Sequence, residues 1–122
     1  MWCRGIRGAT TVESNTKRDI VQAAKELLQR MIEVNAVAVK DVACAIMTTT
    51  RDLNAEFPAV AARELGWAQV PLLCAHEMEV PGSLPHCLRF LILWNTERNA
   101  DEIVHVYLKG AKELRPNLAM EG

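Results

Sequence analysis

Cys87-Leu88-Arg89-Phe90-Leu91-Ile92-Leu93-Trp94 is an almost unbroken apolar run with one arginine set inside it. A run of this length is too short for a membrane span and too uniform for a surface helix. Continued to Thr96, it reads as a strand at the centre of a sheet. Val42-Ala43-Cys44-Ala45-Ile46-Met47 is a second such run, followed by threonines that favour strand over helix, and Asp41 to Thr50 predicts a strand covered on both faces. Two apolar strands must be buried by something, and the sequence supplies it. Ile20, Ala23, Ala24, Leu27, Met31 and Val34 recur at three- and four-residue spacing, which predicts an amphipathic helix ending near Asn35. Thr16 suits its N-cap, and Asp19 suits the positive end of its dipole.

The remaining pieces are shorter. Cys3 to Val12 is β-leaning and punctuated by Gly5 and Gly8. Pro58 fits the first turn of a short second helix that Gly66 would end. Val70 to Met78 reads as a strand that Pro71 restricts to a sheet edge or bulge. Pro81-Gly82-Ser83 and Pro85 mark a loop, and Glu102 to Leu108 ends in a short strand or a strand–helix mixture. The order is β-α-β-α-β-β-β, which predicts one α+β domain over residues 1–122 with a mixed sheet and two main helices. The tail beyond Arg115-Pro116 has no periodicity and reads as its flexible end.

Composition removes several classes of function. Lys plus Arg is 14 against 15 for Asp plus Glu, so the chain lacks the basic field that binding to a phosphate backbone needs. No apolar run reaches the roughly 18–20 residues of a membrane span. Met1-Trp2-Cys3-Arg4-Gly5 does not open a signal peptide. The expectation is a cytoplasmic protein that engages neither nucleic acid nor membrane. Cys3, Cys44, Cys74 and Cys87 form no C-x-x-C pair, and His76, His86 and His105 form no metal-ligand spacing. The cysteines read as small packing residues, and no metal or cofactor is expected.

Chemistry is suggested by charges in apolar settings. Arg89 lies inside the most hydrophobic strand, where a guanidinium needs an anion. Arg7 precedes Gly8, a position where another group can approach the backbone closely. Arg63 falls on the short helix, six residues after Phe57. Glu77 shares a strand face with Ala75, and Tyr107 is the only tyrosine, with packing as its ordinary role. Two readings stay open from the residues alone. Arg89 pairs with an internal carboxylate such as Glu77 while Arg63 is solvated, or the arginines form a pocket for a small dianion, since their forks match carboxylates. No nucleophile–base pair, P-loop or dinucleotide fingerprint is present.

The blocks Arg4-Gly5-Ile6-Arg7-Gly8-Ala9-Thr10-Thr11-Val12, Asp52-Leu53-Asn54-Ala55-Glu56-Phe57-Pro58-Ala59, Ala62-Arg63-Glu64-Leu65, Cys87-Leu88-Arg89, His105-Val106-Tyr107-Leu108 and Leu114-Arg115-Pro116 occur in an order and spacing that resembles the Bacillus-type monofunctional chorismate mutases. Val70-Pro71, leading to Cys74 and Glu77, belongs to the same resemblance, which spans residues 4 to 116. It implies a homotrimer arranged as a pseudo-α/β barrel, with active sites in clefts between subunits and chorismate as substrate. It implies that Arg7, Cys74, Glu77, Arg89 and Tyr107 come from one subunit, and Phe57 and Arg63 from its neighbour. By the same resemblance Arg89 faces the substrate's ether oxygen. Glu77 accepts a hydrogen bond from the ring hydroxyl, with Cys74 nearby. Arg7 and Tyr107 hold the enolpyruvyl carboxylate, Arg63 stands at the mouth, and Phe57 is an apolar wall.

The sequence departs from that pattern at Val60, where some members carry lysine, and at Leu73, where some carry threonine. A trimeric carboxylate-binding module without catalysis, or a trimeric enamine or imine deaminase, are the alternatives. The combination of Arg89 with Arg7, Glu77 and Tyr107 favours the mutase over both.

Overall fold

In a computed structural model, which describes residues 1–114, five strands form one mixed sheet and two helices lie against one of its faces. The strands are β1 (Trp2–Thr11), β2 (Val42–Thr49), β3 (Leu72–His76), β4 (Cys87–Thr96) and β5 (Val106–Tyr107), and the helices are α1 (Lys17–Asn35) and α2 (Ala59–Glu64). Arg115, Pro116 and the tail read above as flexible lie outside the described residues. The sheet order is β3-β2-β4-β1-β5, so β4 is central as its apolar run requires, and β3 is an edge strand. Pro71 stands just before β3, where its missing N–H disturbs no ladder. The segment from Glu102 to Leu108 is indeed a mixture. A 3₁₀ turn (Ala100–Glu102) leads to the two-residue β5, and a second one (Lys109–Leu114) follows.

Helix α1 forms where its stripe predicts. Thr16 accepts from the Asp19 N–H as N-cap, and Ile20, Ala23, Ala24, Leu27, Leu28 and Met31 are buried against the sheet. It packs very close at Gly8, where an added Cβ would stand 2.3 Å from the Met31 sulfur. The helix ends at Asn35, which is fully buried. Its Nδ2 donates to Met31 O and to Val104 O, and its Oδ1 accepts from the Val104 N–H, all at 2.9 Å. One amide thus ties the end of α1 to the segment that leads into β5.

The expectation that β2 is covered on both faces holds on one face only within the chain. Val42, Ala45, Met47 and Thr49 are buried, whereas Cys44, Ile46 and Thr48 are half-exposed. A bulge lies at Ala43, because Val42 pairs with Trp94 and Cys44 with Leu93. The extra residue lets Val42 and Ala45, three apart, both face the core. The cysteines also divide. Cys87 is buried as a packing residue should be, and burial pushes its thiol pKa up against the lowering influence of Arg89. Cys3, read above as a packing residue, is exposed because β1 begins beyond the reach of the helices.

Where β2 and β4 meet their loops, Asp52 accepts from the Thr50 hydroxyl at 2.5 Å and from the His86 N–H at 3.0 Å. Partial burial raises the carboxyl pKa, but these two bonds and the charge of the His86 ring outweigh it, leaving a value below the ordinary one. A depressed folded-state pKa stabilises above the unfolded value and is lost as pH falls. Asp52→Asn should therefore lower stability slightly at pH 7, by less than about 1 kcal/mol for so exposed a group, with a correspondingly small fall in the thermal midpoint. The difference from the parent should close below about pH 4, the ordinary aspartate range. Melting curves across pH check this, and a gap that widens in acid would refute it.

Candidate active site

The register of the sheet draws a line of residues across all five strands. Ala75 pairs with Thr48, Thr48 with Arg89, Arg89 with Ala9, and Ala9 with Tyr107. Directly paired residues present side chains to the same face, here the one opposite the helices. Arg7 lies two residues before Ala9 on that face. Glu77 lies two beyond Ala75, and its N–H still donates to Thr49 O at 2.8 Å, which extends the ladder by one residue past β3. Together Arg7, Thr48, Glu77, Arg89, Leu91 and Tyr107 line a cavity of about 280 Å³.

The charges in this cavity are only partly compensated. Nε of Arg89 stands 3.5 Å from Oε2 of Glu77, an ion pair. The geometry is not that of a hydrogen bond, and this buried Nε has no hydrogen-bond partner among the described residues. The internal pairing with Glu77 therefore exists, but it does not use up the guanidinium, whose side chain remains 43% exposed. The Arg7 side chain lines the same cavity without an ion-pair partner among the described residues, while its N–H donates to Nδ1 of His105 at 3.0 Å. Two guanidiniums thus face one carboxylate. Tyr107 has its ring buried with Ala9 and Ala111 in a small cluster on this face, so it is a cavity wall as well as a packing residue.

The other residues singled out in the sequence stand elsewhere in the chain. Cys74 pairs with Met47 in register and packs against the helix-side core. It lines a second cavity, of about 360 Å³, together with Phe57, Thr49, Ala75, His76 and Lys17. The chain thus groups Cys74 with Phe57 and not with Arg89. Phe57 is 66% exposed, and Arg63 is exposed on α2. Neither reaches the Arg89 cavity within one chain. One member was missed. The hydroxyl of Thr48 donates to Oε2 of Glu77, yet in the sequence Thr48 is one of three threonines that favour a strand, and nothing there marks it. Among the described residues no three His, Cys, Asp or Glu side chains converge as a metal site, and no helix is long and apolar enough to cross a membrane.

An open sheet face carrying two arginines, a carboxylate and a tyrosine defines a class of protein that holds a small anion by shape and charge. The chain belongs to the chorismate mutase type I family, whose pattern it matches over residues 3–118. It is 52% identical over 116 residues to the chorismate mutase AroH of Thermus thermophilus, covering 94% of this chain and 95% of that protein. It is 46% identical over 121 residues to the chorismate mutase AroH of Bacillus subtilis (strain 168), covering 98% and 95% respectively. The solved chorismate mutase of Clostridium thermocellum superimposes with a TM-score of 0.89 at 46% identity, covering 93% of this chain and 99% of that one. The α+β architecture with a mixed five-stranded sheet is the fold of that family.

Proposed function

We propose that this protein converts chorismate to prephenate, and that it does so as a homotrimer whose clefts are completed by a neighbouring subunit. The observation that carries the reading is the excess of positive charge in the Arg89 cavity, where Arg7 lacks a counter-ion among the described residues and Arg89 is only loosely paired with Glu77. Chorismate is a dianion. With Arg63 from a neighbour, three guanidiniums and one carboxylate leave two positive charges, enough to balance it. Phe57 and Arg63 project from the surface of the chain, and Leu73, Met78 and Val80 are exposed apolar residues on and beyond the edge strand β3. Such a surface fits contact with a second copy better than contact with water.

The reaction is a [3,3] rearrangement in which one C–O bond breaks as one C–C bond forms, with no proton or group transferred. Confinement in the cleft selects the chair-like, pseudodiaxial conformer and removes part of the barrier in advance. As the C–O bond breaks, negative charge grows on the ether oxygen. A fixed guanidinium at that point stabilises the transition state more than the bound substrate, and Arg89, whose side chain is 43% exposed and lines the cavity, is assigned that role. Oε1 of Glu77, which has no partner among the described residues, accepts from the ring hydroxyl. Arg7 and Tyr107 take the enolpyruvyl carboxylate.

The test is disappearance of chorismate, with prephenate identified as product, using purified protein. Saturable turnover supports the reading; an intact oligomer that binds chorismate without turnover would make the cleft a binding module. Sedimentation should give three times the chain mass of 13.6 kDa. Val60 is one helical turn before Arg63 on α2 and half-buried. Val60→Lys should add a cation beside Arg63 and lower KM several-fold, with kcat nearly unchanged. A KM equal to the parent's would remove that role for position 60.

A further inference from the structure

Thr48 stands between the two opposite charges of the cleft. It faces Arg89 across β4 and Ala75 across β3. Its hydroxyl donates to Oε2 of Glu77, the same oxygen that lies 3.5 Å from Nε of Arg89. The next residue holds the other end of Glu77, through the bond from the Glu77 N–H to Thr49 O. Adjacent residues of β2 thus grip the glutamate at its main chain and at its tip.

A carboxylate on a flexible stem, beside an Nε–H with no hydrogen-bond partner among the described residues, has an obvious alternative. It can swing inward and accept a charge-assisted hydrogen bond, the stronger kind. That movement would satisfy Nε, neutralise the guanidinium and withdraw the second carboxylate oxygen from the cavity. The structure shows Oε2 held by Thr48 at 3.5 Å from Nε, an ion pair short of a hydrogen bond, and among the described residues Nε has no hydrogen-bond partner. We propose that Thr48 is a positioning residue, which keeps the Glu77 carboxylate from closing its ion pair with Arg89 into a hydrogen bond, so that the exposed part of the guanidinium stays available for developing negative charge. It acts through Glu77 and requires no contact with substrate. The inference deepens the mutase reading and rests on it.

Thr48→Val removes the hydroxyl at nearly constant shape, and Thr48→Ser keeps it. Thr48→Val should lower kcat/KM for chorismate by about 10- to 100-fold, the range expected for one hydrogen bond to a charged group, with most of the loss in kcat. Thr48→Ser should recover activity to within about threefold of the parent, which loss of packing alone would not explain. In a Glu77→Ala background, Thr48→Val should add less than about a twofold loss, because nothing remains to be positioned. Thr48→Ala offers the same comparisons should valine disturb the strand, and urea unfolding of each variant monitors the fold. An indifferent Thr48→Val, a serine variant as poor as the valine one, or an undiminished effect in the Glu77→Ala background would each overturn the inference. A parent protein without chorismate turnover would overturn the mutase reading; a working parent with an indifferent Thr48→Val overturns this inference alone.

Discussion

Replacing Arg89 by alanine should lower kcat by about 10²- to 10³-fold or more, the usual loss when one preorganised donor to a developing oxyanion is removed. The fold should survive. The Arg89 side chain is 43% exposed and only loosely paired, so its removal strands no hydrogen-bonded partner among the described residues, and Glu77 keeps its bond from Thr48. Because the lost interaction strengthens as the C–O bond breaks, KM should change much less than kcat. Arg89→Lys should recover only part of the rate, since an ammonium is a point charge without the guanidinium's fork. Steady-state kinetics beside circular dichroism decide the matter. A folded Arg89→Ala protein with unchanged kcat would remove Arg89 from its assigned role and the electrostatic account with it.

The largest effect on stability is expected at Asn35, a residue far from the ether oxygen. Its amide satisfies both polar groups of the Val104 backbone and one carbonyl of α1 in a fully buried position. Asn35→Ala leaves the Val104 N–H and C=O without this partner at a largely buried position, at about 1–3 kcal/mol each, so a total of about 2–6 kcal/mol is expected. That is a large part of the roughly 5–15 kcal/mol that holds a domain folded. Asn35→Asp should be no better, because an ionised carboxylate would turn an oxygen towards two carbonyls. Urea unfolding at fixed protein concentration should show a lower midpoint with an unchanged slope. A shift of less than about 1 kcal/mol would mean that water replaces the amide. The tie also bears on the site, because Val104 precedes His105, whose Nδ1 accepts the Arg7 N–H, and Tyr107 follows two residues later.

Much of this architecture was legible because it depends on pattern. The α1 stripe, the central place of the Cys87–Thr96 run and the edge position, one of the two placements that Pro71 allows, all follow from burial and from backbone donors. The charged members of the site were legible for a related reason, since arginine in an apolar strand is costly unless it faces something. What escaped depends on register. Pairing of Thr48 with Arg89 is a fact about two strands some forty residues apart, and no local rule encodes it. The face taken by Cys74 is fixed by its pairing with Met47, which sends it to the helix side with Phe57. Asn35 looked like the end of a helix, which it is, but its second bond partner lies 69 residues away.

The central position of Arg89 has a consequence for how the chain finds its fold. Along β4, Leu88, Phe90, Ile92 and Trp94 enter the helix-side core while Arg89, Leu91 and Leu93 face the other way. A slip of one residue against β1 or β2 would exchange the two sets, because side chains alternate with a period of two. Leucines would tolerate that exchange. Arg89 would not, since its charge would enter a core with no acceptor waiting for it. A sheet so misaligned therefore cannot pack under α1 without burying that charge. The residue assigned to the ether oxygen in the proposed mechanism thus also penalises a one-residue slip of β4 that its apolar neighbours alone would tolerate.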